Sequence, residues 1–353
     1  MPENYRKILI IRTDRIGDVI LTLPMASVLK EHFPDVHITM MIQRYTSDLV
    51  QADKHVDEIV YYDNETGQIP FFKMLRIIKS QKYDVVFHTH PRFRIALITW
   101  LAGIPERVGT GYRWYSFMFN NKVYEHRKNA SYHELEYNLH LLEAIGCSVD
   151  YSNIFPTLTL DENDIEKVSL VLKDLGVEKN HKIVILHPGS GRSSRDWSRK
   201  NFGILGKRLT ELSSVKVLIT GGKNEEQLVD DVRTYAGSSA IPIVNRFTLK
   251  EYAALVKSAA LFISNSTGPI HIAAAVGTMV IGLYPQAANL SAARWGPYTN
   301  KKIIFTPIGK DLNCKKCFGF KNSSCECMDS ITVDEVFQSA KKYLLGNNFD
   351  ESK

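Results

Sequence analysis

Two carboxylates and two guanidinium groups stand within seven residues in Arg12-Thr13-Asp14-Arg15-Ile16-Gly17-Asp18. The run KILII precedes them and VILTLP follows, so the charge lies where an apolar strand gives way to a helix. A carboxylate at a helix start can take a proton from an attacking hydroxyl, the work of a general base. It can equally cap the helix or favour its dipole. The residues leave Asp14 and Asp18 as alternatives. Arg12 and Arg15 have two candidate jobs, pairing with these acids or binding acidic groups of a substrate.

Three later segments have the residues of an anion site. LHPGSGRSSRDW (186–197) ends a strand with Gly189, Ser190 and Gly191, then supplies Arg192 and Arg195. Small residues let backbone N–H groups approach a phosphate, and hydroxyls and guanidinium groups add donors. Neither a GK[ST] ending nor a GxGxxG pattern is present, so this is neither a P-loop nor the dinucleotide fingerprint. In SNSTGPIHIAAAVGT (264–278), Ser266, Thr267 and Gly268 occupy a strand-to-helix turn, with His271 near the helix start. Pro269 suits a first helical turn, and the free N–H groups there suit an anion. ITGGKNEEQLV (219–229) ends a third strand in two glycines, and Glu225 and Glu226 open the next helix. A carboxylate there can accept hydrogen bonds from ribose hydroxyls, or simply favour the helix dipole.

These residues need strands that deliver them to one edge. Short apolar runs alternate with amphipathic segments along the chain: 7–12, 37–42, 58–62, 84–89 and 107–110, then 182–191, 215–222, 241–244, 261–268 and 279–284. Runs without period-two alternation are the mark of strands buried on both faces, and the alternation with helices implies parallel sheets. Residues 73–81 read as a helix. Residues 131–146 read as a helix capped by Ser131 with Glu134 at capping-box spacing, and 148–160 read as a linker. Two α/β domains follow, expected over 1–155 and 156–335, with a C-terminal helix and tail over 336–353. Ligands of such sheets bind at the carboxyl ends of the strands.

Composition narrows the function. The chain has 353 residues, 44% hydrophobic and 23% charged, with a formal net charge of +6. Residues 1–160 hold 18 Lys+Arg and 18 Asp+Glu, so the excess lies wholly in the second half. Six charges without a basic run do not make a nucleic-acid binder; a modest positive field suits a phosphate-bearing ligand. No signal-peptide pattern and no run near the ~20 apolar residues of a membrane span are read. The expectation is a cytoplasmic protein, with peripheral contact at the inner face of the cytoplasmic membrane left open. None of these residues specifies an oligomeric state. Of the five cysteines, Cys314, Cys317, Cys325 and Cys327 cluster in CKKCFGFKNSSCEC. Four thiolates at these spacings make a candidate structural zinc site, with a loop of reduced thiols as the alternative.

Taken in order, RIGDVILTLP, HPGSG followed by Arg195 and Trp197, GG followed by Glu225 and Glu226, and Ser264 through Ala275 resemble glycosyltransferase family 9, the lipopolysaccharide heptosyltransferase family. The resemblance implies a GT-B architecture, two Rossmann-like domains with parallel sheets facing an interdomain cleft. The first domain would bind the acceptor and the second the nucleotide sugar. It implies inverting transfer from a nucleotide-sugar donor, ADP-heptose in the heptosyltransferases, onto a lipopolysaccharide core or related cell-surface glycolipid. It places the catalytic base at Asp18 and the ribose contact at Glu226. Ser190, Gly191, Arg195, Thr267, Gly268 and His271 become the candidates for the leaving diphosphate, Ser266 for the donor side, and Phe247 for a wall of the nucleobase pocket. No cofactor and no catalytic metal are expected. Familiar heptosyltransferases carry Asp where this chain has Ser266, which suggests either a different nucleotide sugar or a catalytically silent nucleotide-sugar-binding protein. Arg195 replaces a lysine seen in some members, keeping the charge in a planar fork. An NAD-type oxidoreductase is disfavoured by the missing GxGxxG. On the first domain, residues 91–128 are basic and hold the aromatic run YRWYSFMF (112–119). Arg12, Arg15, Arg92, Arg94 and Arg113 are the candidates for binding an anionic acceptor, and the aromatics are candidates either for that surface or for core.

Overall fold

The computed structural model of the chain describes residues 5–307 and 327–346. The chain divides into two compact units: Met1–Arg127 with Tyr132–Thr159, and Lys128–Ser131 with Leu160–Lys353.

In the first unit the elements run β1 (Lys7–Ile11), α1 (Ile16–Ile20), α2 (Pro24–His32), β2 (His37–Ile42), α3 (Ser47–Gln51), β3 (Glu58–Tyr61), a small hairpin of β4 (Asp63–Asn64) and β5 (Gly67–Gln68), α4 (Phe71–Gln81), β6 (Val85–His88), α5 (Phe93–Leu101), β7 (Glu106–Thr110), β8 (Asn121–Val123) and α6 (Glu134–Glu143). The sheet order is β3-β2-β1-β6-β7-β8, and every neighbouring pair is parallel. The central strand β1 is KILII, buried from Ile8 onward. Ile8 pairs with Ile38 and Val85, and Ile11 with Met41 and His88. Helices on both sides leave no wet face, so the strand carries no alternation. On one side Met74 and Ile78 of α4 and Ile95 and Ile98 of α5 pack over Leu9, Ile11 and Val86.

The second unit repeats the design with α7 (Glu162–Asp174), β9 (Lys182–His187), α8 (Arg199–Thr210), β10 (Val215–Gly221), α9 (Glu226–Ala236), β11 (Ile241–Val244), α10 (Leu249–Ser258), β12 (Leu261–Asn265), α11 (Gly268–Ala275), β13 (Met279–Leu283), α12 (Ala292–Trp295), β14 (Lys302–Phe305) and α13 (Val333–Leu344). Its order is β11-β10-β9-β12-β13-β14, again parallel throughout. Both sheets share the doubly wound order of a Rossmann-like unit, and the α/β expectation is met in each.

Some elements differ from expectation. The edge strands β8 and β14 and the β4–β5 hairpin were not expected; NKV in β8 has one apolar residue in three, too few to show a pattern. The helix expected from Ser131 begins at Glu134. His133 is its cap, accepting from the Leu135 N–H at 3.2 Å, while Glu136 accepts the His133 N–H at 2.8 Å. That shift of two residues frees Glu134 for another role. The C-terminal helix begins at Val333, and Val336, Phe337, Ala340 and Leu344 lie in the core of the second unit.

Candidate functional site

Parallel strands bring their carboxyl ends to one edge, and ligand sites form where the strand order reverses. In the first sheet that point lies between β1 and β6. Arg12 and Asp14 follow β1, and His90 follows β6. His90 Nδ1 lies 3.0 Å from Asp14 Oδ2.

Arg12 is 1% exposed. A buried guanidinium is tolerated only when its donors are met and its charge is paired. Arg12 Nε donates to Asp14 Oδ1 at 2.7 Å, Nη2 to Asp18, and Nη1 to Glu134 Oε1 at 3.2 Å and Asn138 Oδ1 at 3.4 Å. Glu134 also accepts from Arg127 Nη1 at 2.6 Å. Asn138 Nδ2 donates to Leu21 O at 3.0 Å, tying α6 to the end of α1. Three carboxylates therefore share two guanidinium groups. The resulting shifts separate the two acids that sequence left as alternatives. Burial pushes the Asp18 carboxyl up; Arg12 opposes this, while Asp14 and Glu134 add to it. Burial also presses Asp14 upward, but Arg12 and His90 overcome it and hold that group at about 2. Asp14 is thus a fixed anion, and Asp18 is the carboxyl with the greater proton affinity. Titratable pairs driven apart in this way are the usual sign of divided roles.

One expectation needs correcting here. Asp14 was a candidate helix cap, but the cap position is Arg15 and no side chain caps α1. Arg15 is exposed and pairs with neither acid.

The remaining acceptor candidates divide. Arg113 is exposed, and Arg92 is half-buried at the cap of α5. Arg94 is engaged within its own unit: Nη2 donates to Ile69 O, and the guanidinium lies 5.3 Å from the Tyr62 ring centroid. The aromatic run splits as well. Tyr115, Met118 and Phe119 pack on Ala96, whereas Tyr112, Trp114 and Phe117 are exposed.

In the second sheet the order reverses between β9 and β12. The Gly-rich loop follows β9, and Ser266 and Thr267 follow β12. Asn265, the last residue of β12, joins the two. Its Oδ1 accepts the Trp197 N–H at 2.8 Å and its Nδ2 donates to Pro188 O at 2.7 Å. Ser193 Oγ donates to Ser190 O at 2.6 Å. Gly191 and Arg192 both take positive φ, 55° and 62°. Trp197 is buried and donates Nε1 to Ile331 O at 2.8 Å, anchoring the loop in the core. Ser190, Ser194 and Arg195 are buried, and Ser194 Oγ meets no hydrogen-bond partner. Thr267 is the cap of α11 but its side chain caps nothing, so the first-turn N–H groups of Gly268 and Ile270 remain available to an anion. His271 is buried in the same helix.

Sequence reasoning did not single out Asp196. Its carboxyl sits beside Ser190 with Oδ1 buried and unpartnered. Burial lifts it to about 6, helped by Glu225 and opposed by Ser190, Arg199 and Arg195. At the end of β10, Glu225 rather than Glu226 faces the Gly189 loop. It accepts the Gly222 N–H at 2.7 Å, and a Cβ on Gly189 would stand 2.2 Å from Glu225 Oε1. Glu226 is exposed on the first turn of α9. Phe247 is half-buried between β11 and α10.

Also missed were Glu134, Arg127, Asn138, His90 and Asn265. Long-range packing brings the first four to the strand ends; Asn265 lies within the 264–278 segment, where nothing marked it as the clamp of the neighbouring loop. Cys314, Cys317 and Cys325 of the candidate zinc cluster lie outside the described residues, and Cys327 is buried. Among the described residues no group of three or more His, Cys, Asp or Glu side chains is arranged to hold a metal ion, and no helix is long and apolar enough to cross a membrane.

The pattern described as Glycosyltransferase family 9 (heptosyltransferase) matches residues 71–327. A relative, lipopolysaccharide heptosyltransferase 3 of Escherichia coli strain K12, is 26% identical over 310 residues, covering 82% of this chain and 84% of its own. Among solved structures, a glycosyl transferase family 9 protein from Veillonella parvula superposes with a TM-score of 0.83 at 22% identity, over 98% of this chain and 99% of its own. The E. coli ADP-heptose LPS heptosyltransferase II gives 0.79 at 18% identity, over 96% and 98%. At these identities the structures establish the shared GT-B fold. With the family pattern matched over most of the chain and its strand-end motifs borne by two Rossmann-like units, the protein is a glycosyltransferase and belongs to glycosyltransferase family 9.

Proposed function

We propose that this glycosyltransferase moves a sugar, heptose from ADP-heptose as the leading candidate, onto a hydroxyl of a lipopolysaccharide core or related cell-surface glycolipid, with inversion. Asp18 is the general base. It takes the acceptor hydroxyl's proton as that oxygen attacks the anomeric carbon, and the bond to the nucleotide diphosphate breaks. The observation that carries this reading is the Asp18 carboxyl at the carboxyl edge of β1, with burial raising its proton affinity and Arg12 fixing its position. Arg12 acts through Asp18 as a positioning residue. Arg15, Arg92 and Arg113 are assigned to acidic groups of the acceptor.

On the donor side, the charge that develops on the diphosphate needs preorganised donors. Ser190, Gly191, Arg195, Thr267, Gly268 and His271 are assigned to it, Ser266 to the donor sugar side, Glu226 to the ribose and Phe247 to the nucleobase. The uncapped start of α11 supports this assignment. A second reading, transfer from a different nucleotide sugar, is favoured by the neutral Ser266 where familiar heptosyltransferases carry Asp.

The test has two parts. Thermal stability is measured against ADP, UDP, GDP, CMP, TDP and NAD; a selective rise with ADP is expected, a rise with another diphosphate replaces heptose as the first choice, and a rise with NAD alone rejects the donor assignment. Asp18→Asn is then expected to keep that rise while transfer falls about 10²–10⁴-fold. Unchanged turnover in the variant would remove Asp18 as the base.

A further inference from the structure

We propose that the outer surface formed by α4, α5 and the loop after β7 is a docking face for an anionic phospholipid bilayer. Between Glu65 and Glu125 the chain has nine Lys and Arg but only two acids, Asp84 and Glu106. Both acids are engaged at the amino edge of the sheet. Asp84 accepts the Arg6 and Lys7 N–H groups at 2.7 and 2.8 Å, and Glu106 accepts from Tyr5 Oη and Asn121 Nδ2, each at 2.8 Å. The carboxyl edge of this segment therefore carries positive charge without an acid of its own.

Large apolar rings lie at that same edge. Phe72 is 80% exposed, Trp114 74% and Phe117 62%. Phe93 lies against Trp114 with ring centroids 4.7 Å apart. Phe72 is in the first turn of α4, Phe93 begins α5, and Trp114 follows β7, so all three belong to the carboxyl ends of the strands. α4 packs on α5, and α5 on the turn Ser116–Met118. The Arg94 bond to Ile69 O ties the start of α5 to the segment just before α4. Exposed rings of this size are costly in water and are not scattered singly here.

Charge selects the occupant. Arg92 adjoins Phe93, Arg113 adjoins Trp114, and Lys73 adjoins Phe72. A second copy of the face would oppose cation to cation. A bilayer bearing anionic headgroups meets both demands: the rings enter the headgroup–acyl boundary and the cations stay with the phosphates. The face shares its sheet edge with Asp18, so docking would bring that edge toward a lipid-anchored acceptor. The inference deepens the acceptor side of the proposed transfer and rests on that reading for its purpose, while its test needs no transfer.

The full chain is sedimented with vesicles of phosphatidylcholine alone, and of the same lipid with phosphatidylglycerol as about a third. Binding to the anionic vesicles and its loss at high salt are expected. Trp114→Ser with Phe117→Ser is expected to weaken partitioning at least about tenfold, and Lys73→Gln with Arg76→Gln about 25-fold, near fivefold per charge. Both double variants should keep the parent melting temperature, since the altered side chains are exposed. The proposal falls if the parent protein ignores anionic vesicles, or if the ring variant binds as the parent does. It also falls if, without lipid, sedimentation velocity finds a dimer that the ring variant abolishes, which would assign the face to a second copy. A missing nucleotide response would count against the donor assignment alone and leave the vesicle result standing.

Discussion

Asp14 and Asp18 lie four positions apart, and their pKa values move in opposite directions. The raised group is the better proton acceptor, and it must be ionised to act. Transfer is therefore expected to fall as pH drops through the Asp18 pKa, with an acid limb above the ordinary Asp value of ~3.9. A kcat profile flat down to pH 4 would contradict the role. Asp196 offers a second reading at this scale. Its folded pKa of about 6 exceeds the unfolded ~3.9. The folded state then binds the proton more tightly. That contribution to stability is fully present below pH ~3.9 and is lost as pH rises through about 6. Asp196→Asn should therefore stabilise the protein by ~2 kcal/mol at pH 7.5 and little at pH 4, as measured by urea unfolding. Equal effects at both pH values would show that packing, not charge, governs the site. Neither shift was legible in sequence. The residue types were visible, but burial and the approach of Glu134 and Glu225 were not.

At the scale of elements, the motifs foretold which strand each site residue follows but not what holds the loops in place. The glycine-rich loop depends on Asn265, which lies at the end of the next strand in the sheet, 68 positions from Trp197. Asn265→Ala leaves the Trp197 N–H and the Pro188 carbonyl buried and unpaired, a cost of ~2–4 kcal/mol. The loss should appear in chemical denaturation and be accompanied by weaker stabilisation by ADP; an unchanged ADP response would separate the clamp from the donor site. The helix expected from Ser131 shows the converse failure. Ser131 and Glu134 have capping-box spacing, yet His133 and Glu136 fill the roles, because Glu134 is drawn to Arg12 and Arg127. A buried ion pair outbids a surface cap worth ~1 kcal/mol.

For the whole molecule, two sheets of identical order carry separate cores. Trp100 and Trp114 lie in the first unit, and Trp197 and Trp295 in the second. Fluorescence of single-tryptophan variants during heating should resolve two transitions. ADP at a hundredfold excess over its Kd should move the one reported by Trp197, by about 2.7 kcal/mol, and leave that reported by Trp114 in place. A single transition shifted as a whole would show that the units unfold together. The surplus positive charge after residue 160 belongs to the unit assigned to the donor, in keeping with a diphosphate ligand.

By itself the sequence determined the alternation of buried strands and helices, the two-unit plan and the strand-end motifs, because apolar runs, glycines and capping residues act over a few neighbouring positions. Edge strand β8 escaped because a three-residue strand has no period to read. The electrostatic character of the site came instead from contacts distant along the chain. Arg12 meets Glu134 across 122 positions and Asp14 meets His90 across 76. Proton affinity depends on burial and on every charge within a few ångströms, whatever its distance along the chain.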